Sequence, residues 1–353
     1  MKSFLFFFLA PFVFLAGCSK GERTTVETSL HMGTFVSISL PGKSPDEASR
    51  FAVEADRIME EMEGSLSVFR KNSDVSLLNR SAGGRVKVSD YTWRILNLAL
   101  KYAEISDGCF DPTAGPLIRL WGFNGGTVPE RIPDSESIKA VLKNVGYGRL
   151  ILRDNGKELS AWLNRKDVSI DLGGIAKGYA VDVCFNKILD MGVSNLMVNA
   201  GGNIRCAGES ARDRPWTVGV RDPFNKDVIV GKIILENGMA VATSGDYERF
   251  VEIEGKRYSH IMDPRTGYPA EGMAGVTVLG NTAVECDAMS TAFFVSGTNK
   301  VMEILEKLEN CNVLFIPDRH PLEIWITPGF EKYFEPENGL KNRVFVLSSV
   351  CAD

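Results

Sequence analysis

The order of strand-like and helix-like segments constrains the fold of this chain more than any other feature of its sequence. Between residues 195 and 278 the chain consists mostly of short runs with β-type composition, and helices do not alternate regularly with strands. A doubly wound parallel sheet needs a helix between successive strands. We therefore predict an α+β fold in which mainly antiparallel sheets pack against helices. The β runs are Leu196–Val198, Trp216–Val220, Val228–Leu235 and Gly275–Leu279.

Capping residues and apolar periodicity predict where the helices begin and end. The segment Ser44–Glu47 is a capping box with a proline at the first helical position, and Ser89 caps a second helix. A third helix starts near Ile175 and stops before Gly192, because glycine is a common C-terminal signal. Prolines and glycines exclude regular structure from residues 110–123. The other predicted elements are strands at Thr25–Leu40 and Val313–Ile316 and helices at Glu285–Val295 and Thr298–Leu308.

The first residues of the chain form a targeting segment. A positive charge at Lys2 precedes an apolar run, Phe4–Phe14, which is too short to cross a bilayer as a stable anchor. The run ends in Leu15–Cys18, which resembles the lipobox of bacterial lipoproteins; the alternative is an ordinary secretory signal with a chance cysteine. The resemblance implies cleavage before Cys18 and acylation of that residue, and several acyl chains anchor a protein stably. We therefore predict a signal peptide at residues 1–17, a short tether at residues 18–25, and a membrane-anchored lipoprotein of the cell envelope facing the periplasm or the exterior.

The composition of the remaining chain is that of an ordinary soluble globular protein. The formal net charge is −5 and no basic run occurs, so nucleic acid is not expected as a partner. The cysteines that follow Cys18 show neither C-x-x-C spacing nor histidines at zinc spacing. We expect them to be small buried hydrophobic residues with at most one opportunistic disulfide.

Residues Ile170–Gly178 combine the end of a strand, two adjacent glycines and the start of a helix. The N–H groups at a helix N-terminus carry partial positive charge and suit a phosphate, and glycine allows a close approach of the backbone. Lys177 would add a cation one turn into the helix. Neither a Walker lysine loop nor a dinucleotide-binding G-x-G-x-x-G is present. The segment is therefore either a phosphate site of another kind or a purely structural turn.

Two further turns interrupt strand-like sequence. A double glycine in Asn199–Ile204 indicates a bulge, or a backbone pressed against a ligand or another strand. The stretch Ser259–Gly267 forms a rigid Asp-Pro and Thr-Gly turn that follows His260. A lone histidine is usually a hydrogen-bonded structural residue. The mature chain has only His31, His260 and His320, which makes His260 a candidate for catalysis.

A carboxylate and a hydroxyl share one face of a predicted helix. Asp287 and Thr291 lie four residues apart, and both offer the hard oxygen ligands that Mg²⁺ accepts beside phosphates and carbonyls. Such pairs also arise by chance. Asp111, in the stretch Phe110–Leu117, would serve either as a hydrogen-bond acceptor or simply as a turn former.

The order of these motifs resembles that of the FAD:protein FMN transferases, the ApbE-type flavin transferases, over essentially the whole mature length. The resemblance implies an α+β fold of two intimately packed lobes with FAD in the cleft between them, and a single flavin transferase catalytic domain at residues 26–353. The matching motifs, in chain order, are His31–Thr34, Leu66–Arg70, Phe110–Leu117, Asp171–Gly178, Ala200–Ile204, Thr243–Tyr247, His260–Gly267 and Asp287–Thr291.

The same resemblance implies the residues of the site. Mg²⁺ would be bound by Asp287, Thr291 and the backbone carbonyl of Gly174. Phe69 stands where the family commonly has a tyrosine, so a stacking face is kept while a phenolic oxygen is lost. The residues expected to contact FAD are Met32, Phe69, Cys109, Phe110, Asp111, Asp171, Lys177, His260 and Ile261.

The resemblance also implies the reaction, which is the Mg²⁺-dependent transfer of FMN from FAD to a threonine hydroxyl of an acceptor protein, with release of AMP. Membrane respiratory redox-pump subunits are the implied acceptors, and His260 is the candidate for removing the hydroxyl proton. Two alternatives stay open at this point. One is a periplasmic FAD pyrophosphatase that gives FMN and AMP, and the other is a flavin-binding lipoprotein without catalysis.

The lipobox predicts that Cys18→Ala releases the protein from membranes or leaves it unprocessed, because no other acylation site is expected. Fractionation of cells that express the wild-type and variant chains, followed by detergent extraction of the membranes, measures this. An unchanged membrane fraction would show that Cys18 is not the anchor.

Overall fold

The structure is a computed structural model that describes residues 23–124, 129–211, 214–225, 227–247 and 249–347. The predicted signal peptide, the site of lipidation at Cys18 and most of the predicted tether lie outside these residues. The strand that begins at Thr24 includes the last two residues of the range predicted as tether. No helix within the described ranges combines the length and the apolar character needed to span a membrane.

The described residues form helices and strands in an irregular order. The helices are α1 (Pro45–Leu66), α2 (Asp74–Arg80), α3 (Asp90–Ile105), α4 (Gly115–Leu120), α5 (Ser135–Leu142), α6 (Ala176–Asp190), α7 (Ala283–Ser296) and α8 (Val301–Leu305). The strands are β1 (Thr24–His31), β2 (Thr34–Pro41), β3 (Val86–Lys87), β4 (Leu150–Asp154), β5 (Leu159–Leu163), β6 (Leu196–Ala200), β7 (Asn203–Ala207), β8 (Trp216–Arg221), β9 (Ile229–Leu235), β10 (Ala240–Gly245), β11 (Phe250–Ile253), β12 (Lys256–Ser259), β13 (Met273–Gly280), β14 (Asn312–Pro317), β15 (Ile324–Ile326), β16 (Phe334–Pro336) and β17 (Val344–Val346).

A nine-stranded sheet forms the centre of the molecule, in the order β1-β2-β6-β7-β10-β13-β14-β15-β17. Its described neighbours pair antiparallel except for β15 and β17, which are parallel. Smaller antiparallel sheets are formed by β16-β9-β8, β3-β5-β4 and β11-β12. The predicted α+β class with mainly antiparallel sheets is therefore confirmed.

The helix starts predicted from capping residues are confirmed. The Ser44 side chain accepts a hydrogen bond from the N–H of Glu47, and the Glu47 carboxylate accepts one from the N–H of Ser44. This reciprocal arrangement satisfies two N–H groups that the helix itself leaves unpaired. Ser89 caps α3 in the same way through the N–H of Thr92. Short polar side chains next to apolar periodicity are thus sufficient to fix both starts.

Three predicted segments differ from the structure. The single strand predicted at Thr25–Leu40 is a hairpin, whose turn places Met32 at φ 51° and Gly33 at φ 71°. Alternation continues through so tight a turn, so periodicity does not reveal it. The loop predicted at residues 110–123 contains α4, because Pro116 lies in the first turn, where its missing N–H is not needed. The helix predicted at Thr298–Leu308 is shorter in the structure, where only α8 is helical, and α8 has no side-chain cap at its start.

The apolar interior consists of three clusters. The first joins α1, α3, α6 and α7 to one face of the long sheet. The second lies between the opposite face and the β16-β9-β8 sheet, and includes Trp216 and Phe330. The third is a small cluster around Trp121 and Tyr258, formed by α4, α5 and the β11-β12 hairpin. The first two clusters share the long sheet and make one body, and the third makes a smaller lobe packed beside it.

The described cysteines are buried and unpaired, as expected for small hydrophobic residues. They are Cys109, Cys184, Cys206, Cys286 and Cys311. Burial raises the pKa of the Cys184 and Cys206 thiols to about 12. Cys351 lies outside the described residues.

Helices α6 and α7 approach each other so closely that only glycine fits at position 178. A Cβ atom at position 178 would lie 2.2 Å from the Ala283 carbonyl oxygen and 2.7 Å from the Asp287 Cβ atom. The contact is tied by two carboxylates. Asp287 on α7 accepts a hydrogen bond from the N–H of Gly178 at 2.9 Å. Asp182 on α6 accepts from the N–H groups of Ala283 and Val284 at 3.0 and 2.8 Å.

We expect Gly178→Ala to destabilise the fold by about 1–3 kcal/mol or more, because the added methyl group must push α6 and α7 apart. The matched control is Gly64→Ala in α1, where a Cβ atom would meet no heavy atom within 4 Å. The control should be neutral or stabilising by up to about 1 kcal/mol, since alanine favours helix more than glycine does. Urea unfolding of both variants gives the two free energies, and equal values would show that the helix contact tolerates a side chain.

Candidate functional site

The turn that leads into α6 is the centre of the candidate site. The Asp171 carboxylate accepts a hydrogen bond from the N–H of Gly173 at 2.7 Å, which shapes the turn. A Cβ atom at Gly174 would lie 3.0 Å from Thr291 Oγ1 and 3.4 Å from Phe110 Cε2. Glycine at position 174 therefore lets the backbone, the Thr291 hydroxyl and the Phe110 ring meet in one place.

Asp287 and Lys177 add opposite charges to this place. The Asp287 carboxylate is buried, and its Oδ1 atom lies 3.9 Å from Lys177 Nζ. The Thr291 Oγ1 atom lies 3.5 Å from both the Asp287 carbonyl oxygen and Ser244 Oγ. The Lys177 ammonium group also donates to the Gly173 carbonyl oxygen at 3.3 Å. The three predicted metal ligands and the predicted phosphate-binding lysine are thus brought together.

The N–H groups at the start of α6 are used within the protein, which changes the role expected for them. The N–H groups of Ile175 and Ala176 donate to the Leu172 carbonyl oxygen. The N–H of Gly178 donates to the Asp287 carboxylate at 2.9 Å. The positive end of the helix dipole therefore acts on Asp287 rather than directly on a phosphate. Of the two alternatives left open by the sequence, the structural turn describes the N–H groups of Ile175, Ala176 and Gly178.

The electrostatics of Asp287 favour a cation beside it. Burial raises the pKa of the Asp287 carboxyl group, while Lys177, the N–H of Gly178 and the Asn203 side chain counteract this rise. The available donors are carboxylate, hydroxyl and carbonyl oxygens, which is the set that Mg²⁺ prefers. The side-chain Oδ1 atom of Asn203 is also buried and has no hydrogen-bond partner. The residues present therefore fit a hard divalent cation.

His260 is held in one orientation by the backbone of Arg249. The Arg249 carbonyl oxygen lies 3.2 Å from the N–H of His260 and 3.1 Å from its Nδ1 atom. Burial lowers the pKa of His260 to about 4, so the imidazole is neutral at pH 7. Because a carbonyl oxygen only accepts, the ring proton resides on Nδ1 and leaves Nε2 as an acceptor. The adjacent residue, Ile261, is buried.

The side chains of Cys109 and Asp111 point into the protein. Cys109 is fully buried, and the Asp111 carboxylate accepts hydrogen bonds from the N–H and the hydroxyl of Thr113 at 2.7 and 2.6 Å. Burial raises the pKa of Asp111. The neighbouring Pro112 carbonyl oxygen accepts from the N–H of Asp171 at 2.8 Å. Asp111 is therefore a turn former here, and this segment meets the α6 turn through its backbone.

Met32 and Phe69 lie on a second wall that α1 supports. The N–H of Met32, in its left-handed conformation, donates to the Glu63 carboxylate at 3.1 Å. Arg70 forms ion pairs with Glu60 and Glu63, which ties the segment after α1 to the helix. Phe69 is 68% exposed, so its ring is open to stacking. His31, Glu60 and Glu63 have the spacing of a metal site, but Arg70 already compensates the two carboxylates.

Arg249 was missed by sequence reasoning, although it faces several predicted site residues. Its Nη2 atom would lie 3.6 Å from a Cβ atom at Gly33, next to Met32. Burial raises the pKa of Asp171 and lowers that of His260, and the positive charge of Arg249 opposes the first shift and adds to the second. A single arginine in a β-rich segment gives no periodic or spacing signal, so only the three-dimensional arrangement reveals it.

A cavity of about 980 Å³ lies elsewhere, between α1, α3, α6 and the start of α7. Its lining includes Arg94, Lys101, Asp182 and Glu285, and it contains none of the predicted site residues. Charges of both signs line it. The candidate site is thus defined by convergent polar groups rather than by this cavity.

Comparisons with known proteins show which family the chain resembles. A sequence model described as the ApbE family matches residues 32–315. The FAD:protein FMN transferase of Escherichia coli (strain K12) is 30% identical over 342 residues, covering 93% of this chain and 97% of that protein. The protein of the same name from Vibrio cholerae serotype O1 is 32% identical over 305 residues, or 84% and 89% of the two chains.

Solved structures give the same result. The crystal structure of the ApbE protein from Thermotoga maritima superposes with a TM-score of 0.76 at 32% identity, covering 91% of this chain and 99% of that one. The flavin transferase ApbE from Vibrio cholerae superposes with a TM-score of 0.79 at 29% identity, covering 88% and 99%. The fold is therefore that of a flavin transferase. The chain belongs to the ApbE family, as its motifs predicted.

We expect Lys177→Ala to weaken FAD binding about tenfold or more while leaving riboflavin binding nearly unchanged, because riboflavin has no phosphate for the ammonium group to contact. The matched control is Lys187→Ala on the same helix, whose ammonium group lies 3.9 Å from Glu54 instead. Titration of intrinsic flavin fluorescence with each variant measures both affinities. An equal loss for the two ligands would show that Lys177 acts through the fold.

Proposed function

We propose that this protein transfers the FMN half of FAD to a threonine hydroxyl of an acceptor protein and releases AMP, with Mg²⁺ as the metal. The observation that carries the proposal is the meeting of Gly174, Asp287 and Thr291 beside the Lys177 ammonium group at the start of α6. Membership of the ApbE family supports flavin transfer from FAD. The acceptor and the metal are parts of the proposal.

The pyrophosphate of FAD fits a site of this kind. Phosphoryl transfer depends mainly on alignment and on neutralising charge around phosphorus. Asp287, Thr291 and the Gly174 carbonyl oxygen would hold Mg²⁺, and the bound ion would supply charge neutralisation for the pyrophosphate oxygens. Lys177 adds a second positive charge from the protein, and Arg249 adds a third from the side of Gly33. Phe69 offers an exposed ring for a planar ring system of the dinucleotide.

His260 is the proposed acceptor of the hydroxyl proton. The threonine oxygen forms a bond to the FMN-side phosphorus, while the bond from that phosphorus to the bridging oxygen breaks and AMP leaves. The proton of the hydroxyl passes to Nε2 of His260, which is neutral because burial lowers the pKa of the imidazole to about 4. The hydrogen bond from Nδ1 to the Arg249 carbonyl oxygen keeps Nε2 available.

The proposed place of action is a membrane surface of the cell envelope, with lipidated Cys18 as the anchor. Strand β1 starts at Thr24, six residues after Cys18. Six residues of extended chain span at most about 20 Å. A catalytic domain tethered so close to the membrane would meet acceptor proteins that are themselves held in the membrane. The proposed acceptors are redox-pump subunits with exposed threonines.

We expect Asp287→Asn to move the Mg²⁺ requirement to much higher concentration and to lower turnover by orders of magnitude at low Mg²⁺. Asparagine keeps an oxygen acceptor for the N–H of Gly178 but removes the only negative charge among the proposed ligands. FAD binding should survive better than turnover, because Phe69 and backbone contacts are unchanged. Thr291→Val should give a milder form of the same change.

The measurement is a Mg²⁺ titration of FMN transfer, followed as flavin fluorescence on the denatured acceptor band. Release of FMN and AMP without labelling of the acceptor would identify a hydrolase. Overlapping titration curves for wild type and Asp287→Asn, or full activity in a chelator, would remove the metal from the reaction.

A further inference from the structure

Two buried polar side-chain atoms among the described residues have no hydrogen-bond partner, and both lie on strand β7. They are Oδ1 of Asn203 and Nε of Arg205. Residues two apart on a strand project from the same face, so both side chains point toward the contact between α6 and α7. A buried polar atom without a partner has lost its hydrogen bonds to water and gained none in return, which is unfavourable. Each therefore requires an explanation.

The surroundings of Arg205 account for its unpaired atom. Its Nη1 atom donates to the Asp182 carboxylate at 2.7 Å, and its guanidinium carbon lies 4.6 Å from the centre of the Phe185 ring. The cation is thus paired with one carboxylate and stacked on one aromatic ring, which leaves its edge at Nε against apolar surface. Arg205 is structural.

Asn203 has no comparable compensation. The residue is 3% exposed, and its Nδ2 atom lies 3.5 Å from the Ala200 carbonyl oxygen, a long contact. The same side chain also makes a hydrogen bond to the Asp287 carboxyl group. Its oxygen, Oδ1, is therefore a buried acceptor without a partner, on a side chain that contacts the principal charged ligand of the proposed metal site.

We propose that Asn203 is a further residue of the metal site, which orients Asp287 through its amide N–H and accepts through Oδ1 a hydrogen bond from a water molecule of the Mg²⁺ shell. The inference rests on the proposed metal-dependent function. Mg²⁺ loses its waters reluctantly and usually keeps several of them when it is bound by one carboxylate. Water held by a cation is a strong donor, and Oδ1 of Asn203 is the buried acceptor that such a water needs. The orphaned atom is thus satisfied when the site is loaded.

Asn203→Asp keeps the acceptor and Asn203→Leu removes it, so the two variants should change cation affinity in opposite directions. Aspartate has the same shape, keeps an acceptor and adds a negative charge, so it should bind the cation about tenfold or more tightly, since ligand charge sets affinity for hard cations. Leucine has similar volume and no acceptor, so it should bind the cation about tenfold less tightly. Neither variant removes any of the three proposed direct ligands.

The experiment is a titration of the full chain, purified in detergent with saturating FAD, with MnCl₂ while free Mn²⁺ is followed by electron paramagnetic resonance. Mn²⁺ accepts the same oxygen ligands and gives a signal that does not depend on turnover. The matched control is Asn199→Asp in the same hairpin, where the side-chain oxygen already accepts from the N–H of Gly202 at 2.9 Å. The control should leave the affinity within about twofold of wild type, because its charge lies away from Asp287.

The outcomes separate this inference from the proposed function. Tighter binding by Asn203→Asp with no change in Asn199→Asp supports the role of Asn203. If both Asn203 variants bind Mn²⁺ like wild type while Asp287→Asn loses it, the site exists but Asn203 is not part of it. An equal gain in Asn199→Asp would assign the effect to general charge and overturn the inference. If Asp287→Asn also binds like wild type, the metal site itself is wrong.

Discussion

The contact between the N-terminal turns of α6 and α7 is the constraint on which the rest of the site depends. Each helix supplies a carboxylate that accepts hydrogen bonds from the first N–H groups of the other, Asp182 from α6 and Asp287 from α7. Gly178 allows the two backbones to come close enough for both exchanges. The position of every group on α7, including Thr291, is thereby set relative to the turn at Gly174.

The carboxylates of Asp182 and Asp287 are both buried between these helices, but their negative charges are balanced by nearby positive groups to different degrees. Burial raises the pKa of both. Asp182 is fully engaged, because Arg205 pairs with it at 2.7 Å in addition to two N–H groups. Asp287 accepts from the N–H of Gly178 at 2.9 Å, but its cation is distant, because the Lys177 ammonium group lies 3.9 Å away. Asp182 therefore serves to hold the two helices together. Asp287 can still accept a positive charge, which makes it the carboxylate suited to the proposed metal site.

Much of the fold could be predicted from the sequence, because its signals are local. Capping at Ser44 and Ser89, and glycines at helix ends, act through neighbouring residues and need no tertiary information. The order of motifs identified the family and named the residues that now meet around Gly174. Asn203 received no individual role, because the role proposed for it depends on Asp287, 84 positions away along the chain. Arg249 was missed for the same reason, and the turn at Met32 escaped because alternation runs through it.

The buried thiols of the described residues have a consequence for how the folded protein responds to its redox surroundings. A thiol whose pKa burial raises to about 12, as at Cys184 and Cys206, is almost never the thiolate that oxidants and disulfide exchange require. Folding of these segments needs no oxidative catalyst, and the finished body presents no reactive sulfur from them to an oxidising compartment. Once folded, the body keeps these two sulfur atoms unreactive whether its surroundings are reducing or oxidising.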